Sequence, residues 1–235
     1  MTITQQAIKK NIKKNIKKNI NAMLKISFYS FIPCLILYIL FFLEFDRSLA
    51  LAIHGTLRTI HPSLRLMISH ESQIISDVFS PAHLLTLFIF ILLMAFWFNF
   101  KYPELQKFNK KLFFISTAGI LSFIFAGLVK TILARYRPEA FLTSGEYGFH
   151  FLSFNRLYNS TPSGHVTLSA ALLTALGYSF KKIWLWGLFF IILFFIAVAR
   201  LILEAHFLSD ILFGFYLGTI STYWVKYYFY DRHTN

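Results

Sequence analysis

Apolar residues fall in six long runs separated by short polar stretches, a pattern that predicts a bundle of membrane-crossing helices. The runs able to cross about 30 Å of hydrocarbon are residues 27–43, 82–100, 112–132, 165–178, 183–203 and 208–228. The fourth is short and carries Thr167, Ser169 and Thr174, so it is expected to be enclosed by other helices and not by lipid. Residues 44–80 have loosely periodic apolar positions at Leu49, Leu51, Ile53, Leu57 and Ile60, which predicts short helices at the interface, lining the way in for a lipid. The expected fold is all-α: a polytopic membrane protein with a six-helix transmembrane bundle and short interfacial helices.

Composition changes this picture only in its orientation. With 57% hydrophobic residues and 29 Phe in 235 positions, water is not the main solvent. A net charge of +13 would suggest nucleic acid as partner of a soluble protein, but here the lysines flank apolar runs. The membrane, and no nucleic acid, is therefore the expected partner. Residues 1–25 hold seven lysines and no acid, and Lys101, Lys107, Lys110, Lys111, Lys181, Lys182, Lys226 and Arg232 lie on the same side of the alternating spans. That excess predicts cytoplasmic termini, with the opposite ends of the spans extracytoplasmic. The single Cys34 lies in an apolar run, so neither an intramolecular disulfide nor a cysteine metal site is available.

Two domains follow from this pattern, a basic segment at 1–25 and one membrane domain at 26–235. In the first, Ile-Lys-Lys-Asn recurs three times and places Ile8, Ile12, Ile16 and Ile20 on one slowly drifting stripe. It reads as an amphipathic helix on the anionic inner leaflet, or equally as a disordered tail that sets topology. The first span reads as retained and not as a cleaved signal peptide.

Three polar clusters interrupt the apolar chain, and the orientation puts all three on one, extracytoplasmic face. Lys130 and Arg137 are seven apart, nearly two helical turns, and Pro138 biases Arg137 out of helical geometry, so the helix is expected to end there. Snorkelling of Lys130, Arg135 and Arg137 toward headgroups is the plain alternative. Pro162-Ser163-Gly164-His165 precedes an apolar helix and offers an anion free amides, a hydroxyl and a positive dipole end. Gly164 lets a phosphate approach, and His165 can protonate a leaving oxygen; Ser163 as an ordinary N-cap is the alternative. Arg200 stands six residues before His206, and His206 and Asp210 are four apart on one helical face. There the carboxylate could accept one imidazole proton and leave the other nitrogen nucleophilic, or serve a purely structural pairing.

Lys130, six residues, Arg137-Pro138; Pro162-Ser163-Gly164-His165; and Arg200, five residues, His206, three residues, Asp210 together resemble the three-part signature of the type 2 phosphatidic acid phosphatase family. The resemblance covers about residues 44–228 and departs from the usual Ser-Arg at Ala199-Arg200, losing one auxiliary hydroxyl. It implies a metal-independent membrane lipid phosphatase without cofactors, in which His206 attacks phosphorus, Asp210 orients it, and His165 protonates the departing alkoxide. Lys130, Arg137, Ser163, Gly164 and Arg200 would bind the phosphate. The stretch 205–210 looks like that of bacterial lipid A phosphatases. Undecaprenyl diphosphate, phosphatidylglycerol phosphate and transfer to another hydroxyl remain the alternatives. The loop 139–161, with Glu146, Tyr147, His150, Asn155, Arg156 and Tyr158, is the expected headgroup reader. Glu204 could orient Arg200 or His206 or face water, and His54, His61, His70, His83 and His233 match no motif. Gly214 and Gly218 form a small-residue step that would suit helix packing, including that of a dimer, although the oligomeric state is not fixed by sequence.

Overall fold

The computed structural model describes residues 3–231, with side chains described from Ile20 to Phe229 except Arg156. Among these residues there is no strand, only one isolated bridge between Arg135 and Phe149. The helices are α1 (Ile3–Leu40), α2 (Asp46–Thr59), α3 (Pro62–Val78), α4 (Pro81–Lys101), α5 (Gln106–Leu133), α6 (Pro138–Ser144), α7 (Gly164–Phe180), α8 (Ile183–Ile202) and α9 (Leu208–Lys226). Helices occupy all six predicted apolar runs. Among the described residues, however, only four stretches are both long and apolar enough to cross a membrane: Ile20–Thr59, Pro62–Lys101, Pro103–Leu133 and Ile183–Ile202. α7 and α9 fall outside that set because α7 has 17 residues and both helices carry polar side chains buried against their neighbours.

α1 runs unbroken from the basic segment at Ile3 to Leu40. The isoleucine stripe at Ile8, Ile12 and Ile16 lies outside the described side chains. Through the π-turn Phe41–Phe45, α1 continues into α2, and α3 likewise leads into α4, giving two stretches of 40 residues each. At 1.5 Å per residue a straight helix of that length would reach about 60 Å, twice the hydrocarbon thickness, but α3 and α4 are separated by the extended Ser80 (ψ 146°). α2 and α3 meet the expectation of short helices in 44–80, but they do more than lie at an interface. α3 packs on α8, and α2 touches α6, α8 and α9, with Asp46, Ser72 and Ser76 buried.

α7 is the hub, packed on α4, α5, α8 and α9, and most of its residues are buried, as its short polar sequence predicts. Its approach to α9 depends on two glycines. A Cβ at Gly218 would collide with the Thr167 carbonyl oxygen, and one at Gly214 would sit 2.9 Å from that of Ser163. The small-residue step is therefore spent inside the chain, which corrects its reading as a surface for a second copy. Leu84, Phe88, Phe114, Ile115, Ala118, Leu168, Ala175 and Val225 form the core that ties α4, α5, α7 and α9 together.

Candidate active site

Helix ends build the site. α5 stops at Leu133, four residues before Arg137, because Ala134 turns left-handed (φ 43°) and returns its N–H to the Lys130 carbonyl. The expectation of a helix continuous to Arg137 is thus corrected. Lys130 stays in the last turn of α5, while Arg137 follows in extended conformation (ψ 159°), as the proline demands. Lys130 Nζ donates to the Asn159 carbonyl at 2.7 Å. α7 begins after Ser163, whose side chain makes no capping bond, so the ordinary N-cap explanation does not describe it. A Cβ at Gly164 would meet Pro81 at 3.1 Å and the Lys130 stem at 3.8 Å. The glycine thus lets the start of α4 and the lysine close in on α7.

α8 ends in a left-handed Glu204 (φ 51°), with Glu204 N bonded to the Leu201 carbonyl and Ala205 N to that of Arg200. This turn reverses the chain between Arg200 and His206, which on a straight helix would point about 240° apart. Glu204 faces neither of them, for its carboxylate accepts from His54 Nδ1 at 2.7 Å, joining α2 to the loop before His206. The other unassigned histidines play local parts: His61 caps α3, His83 donates to the Asp77 carbonyl, and His70 lies exposed near Glu71. His233 is outside the described residues.

The three clusters meet. Lys130, Arg200, Arg137 and His165 all act electrostatically on buried His206, and Ser76 Oγ links two of them, 3.2 Å from His165 Nε2 and bonded by Arg200 NH1. Burial first, and these cations next, hold the His206 imidazole well below the ordinary histidine range, so it is neutral at pH 7. Ser163 Oγ, Arg200 Nε and His206 Nδ1 are buried and make no hydrogen bond among the described residues. An unmade bond at a buried polar atom costs about 1–3 kcal/mol. Several in one cluster mark a place built for a polar ligand.

Asp210 is engaged differently from the simple dyad. Its carboxylate accepts from Arg135 NH1 at 2.6 Å, Ser160 Oγ at 2.5 Å, Thr161 Oγ1 and the Phe207 amide at 2.8 Å. His206 Nδ1 is 4.0 Å from Oδ2, beyond hydrogen-bond reach but close enough for strong charge coupling. Such contacts commonly tighten only when substrate is bound.

Arg135, read from sequence as a snorkelling residue, is fully buried and bridges Asp210 to Asp46 at 2.7 Å. Burial alone would lower its pKa, but Asp210, Tyr38 and Asp46 together outweigh that effect and raise it, so the guanidinium stays charged. Asp46 in turn accepts from the Ser209 amide at 3.0 Å and from its hydroxyl. Tyr147, expected to read a headgroup, instead turns inward, accepting from Arg135 and donating to the Phe42 carbonyl. His150 stacks on Tyr158 at 4.3 Å, Glu146 accepts from Ser144, and the Arg156 side chain is outside the described ones. Among the described residues no three of His, Cys, Asp and Glu gather as a metal-ligating group.

The sequence pattern of the PAP2 superfamily matches residues 111–234, more than half of the chain and all three clusters. The chain belongs to the PAP2 superfamily. Over 105 residues this PAP2 chain is 28% identical to a lipid A 1-phosphatase of Rhizobium etli, a match covering 45% of the chain and 44% of the relative. It therefore spans less than half the length of that curated relative. The crystal structure of a transmembrane PAP2-type phosphatidylglycerolphosphate phosphatase from Bacillus subtilis has the same fold, with a TM-score of 0.54 at 19% identity. That match covers 89% of this chain and 97% of the other.

Proposed function

We propose that this PAP2 chain hydrolyses a phosphate monoester or diphosphate of a membrane lipid, at the periplasmic face of the bacterial inner membrane. In this reading all six apolar runs cross the bilayer and both termini are cytoplasmic. His206 attacks phosphorus with Nε2, the nitrogen away from Asp210, as the bond to the lipid oxygen breaks and His165 gives that oxygen a proton. Water then attacks the phosphohistidine and yields its proton to His165, and inorganic phosphate leaves as the P–N bond breaks. Lys130, Arg137, Arg200, Ser163 and the Gly164 amide neutralise the equatorial oxygens. Asp210 stabilises the charge that His206 acquires. The observation that carries the proposal is the convergence of Lys130, Arg137, Arg200 and His165 on one buried, neutral His206.

Lipid A is the substrate favoured here, on the 205–210 stretch and the Rhizobium relative. Phosphatidylglycerol phosphate and undecaprenyl diphosphate are the rivals, the former named in the structural relative. Purified protein assayed with EDTA against these lipids and phosphatidic acid is expected to release inorganic phosphate, fastest from lipid A. Dephosphorylation of the lipid only when an acceptor alcohol is added, with the phosphate recovered on that alcohol and not free, would make the chain a phosphotransferase, and no dephosphorylation of any lipid would end the proposal.

The pH dependence has a definite sign. His206 must be neutral to attack, and burial among cations lowers its pKa, so this group limits kcat/KM only well below pH 6.5. Activity should persist through the ordinary histidine range as pH falls and fade below it. Half-loss of kcat/KM at about pH 6.5, the ordinary histidine value, that moves when His206 is altered would contradict the neutral, buried nucleophile.

A further inference from the structure

We propose that the loop 149–157 is a membrane-inserting wedge that holds acyl chains of outer-leaflet lipid beside the phosphate cradle. This inference rests on the lipid phosphatase reading for its catalytic consequence, though not for the insertion itself. Phe151 and Leu152 are consecutive left-handed residues, φ 57° and 51°. For residues with a Cβ this conformation costs roughly 1–2 kcal/mol each. The strain is matched by three backbone bonds, Phe151 N to the Leu133 carbonyl, Leu152 N to Ile132 and Ser153 N to Thr131, at 3.2–3.3 Å. These carbonyls end α5 and have no partner within the helix. The loop is thereby fastened flat against the last turn of a membrane-spanning stretch, Pro103–Leu133, and does not rise away from it.

What the fastening displays is apolar. Phe151, Leu152 and Phe154 are 57%, 77% and 87% exposed, continuous with exposed Leu128 and Ile132 on α5. Phe149 anchors the loop from behind, stacked on Phe42 at 5.2 Å and on Phe151 at 5.6 Å. In water such a patch would drive association. At the level of the last turn of a spanning helix the medium is hydrocarbon and headgroup, so the occupant is lipid.

The other end of the loop enters the site. The Leu157 carbonyl accepts from Arg137 N, the Asn159 carbonyl from Lys130 Nζ, and Ser160 and Thr161 hold Asp210. A few residues carry the chain from the lipid-facing wedge to two of the phosphate-binding cations. A lipid whose tails rest on Phe151 and Leu152 has its headgroup beside Lys130 and Arg137.

The test uses the full chain reconstituted in phosphatidylcholine vesicles. A Phe151→Trp variant should show added emission that is quenched by bromine on the acyl chains and not by a water-soluble quencher. A double variant, Phe151→Asn with Leu152→Asn, introduces side chains that tolerate the left-handed region. It should lose tenfold or more in kcat/KM on long-chain phosphatidic acid in vesicles, mainly through KM, and stay within twofold of the parent on a short-chain, monomeric form. Quenching of the introduced indole only from the aqueous side, equal loss on both substrates, or no loss on either would overturn the wedge. A parent protein inactive on both substrates would instead exclude phosphatidic acid as its substrate, while the bromine result would still decide insertion. Shielding of that indole from both quenchers would also overturn the wedge, by showing that a second protein copy, and not lipid, covers the loop.

Discussion

A His206→Ala protein is expected to fold, to bind lipid phosphate, and to turn it over about 10⁴-fold or more slowly, the scale on which removal of a covalent nucleophile is felt. The size follows from the surroundings. In the proposed scheme Lys130, Arg137 and Arg200 remain in the variant, so the anion is still held, but the nitrogen that bonds to phosphorus is gone. No Nδ1 hydrogen bond is broken by the change, so the stability cost is that of removing one buried ring. Two readings check the expectation: phosphate release at saturating lipid, and radiolabel retained on protein after an acid-free quench of labelled substrate. Turnover within tenfold of the parent, or undiminished labelling, would remove His206 from the role given to it.

The second large effect concerns stability. Arg135→Met is expected to destabilise the fold by about 3–5 kcal/mol, because it strands the carboxylates of Asp46 and Asp210 in a buried site. For a chain of this size that is a fall in Tm on the order of 10 °C. Adding Asp46→Asn should restore part of the loss, since one of the two stranded charges is then gone. Thermal unfolding in one detergent, compared across the parent, the single and the double variant, measures both steps. A single variant within about 1 kcal/mol of the parent, or a double variant less stable than the single, would refute the buried bridge as drawn.

Apolar periodicity placed every long helix, because a bilayer leaves so little choice of backbone. The three clusters were legible for a related reason: charged residues at the ends of hydrophobic runs are costly and stand out. What sequence could not supply was partnership. Arg135 and Asp46 are 89 residues apart, and each alone looks like a headgroup-level charge. Ser76 is one serine among several in an amphipathic helix, and only the fold brings it onto His165 and Arg200. Its sole advance sign is Ser72, four residues earlier and buried on the same face. The end of α5 was misjudged because Ala134 adopts a conformation that glycine usually signals, so the proline at 138 drew the boundary instead.

Asp210 gathers donors from three separate places, Arg135 after α5, Ser160 and Thr161 before α7, and the Phe207 amide opening α9, with the neighbouring imidazole at longer range. One carboxylate thus fastens the segments together and, in the proposed scheme, serves as counter-ion to the reacting base. Inactivity after its replacement would confound a collapsed scaffold with a silenced reaction, so no single substitution at 210 can apportion the two.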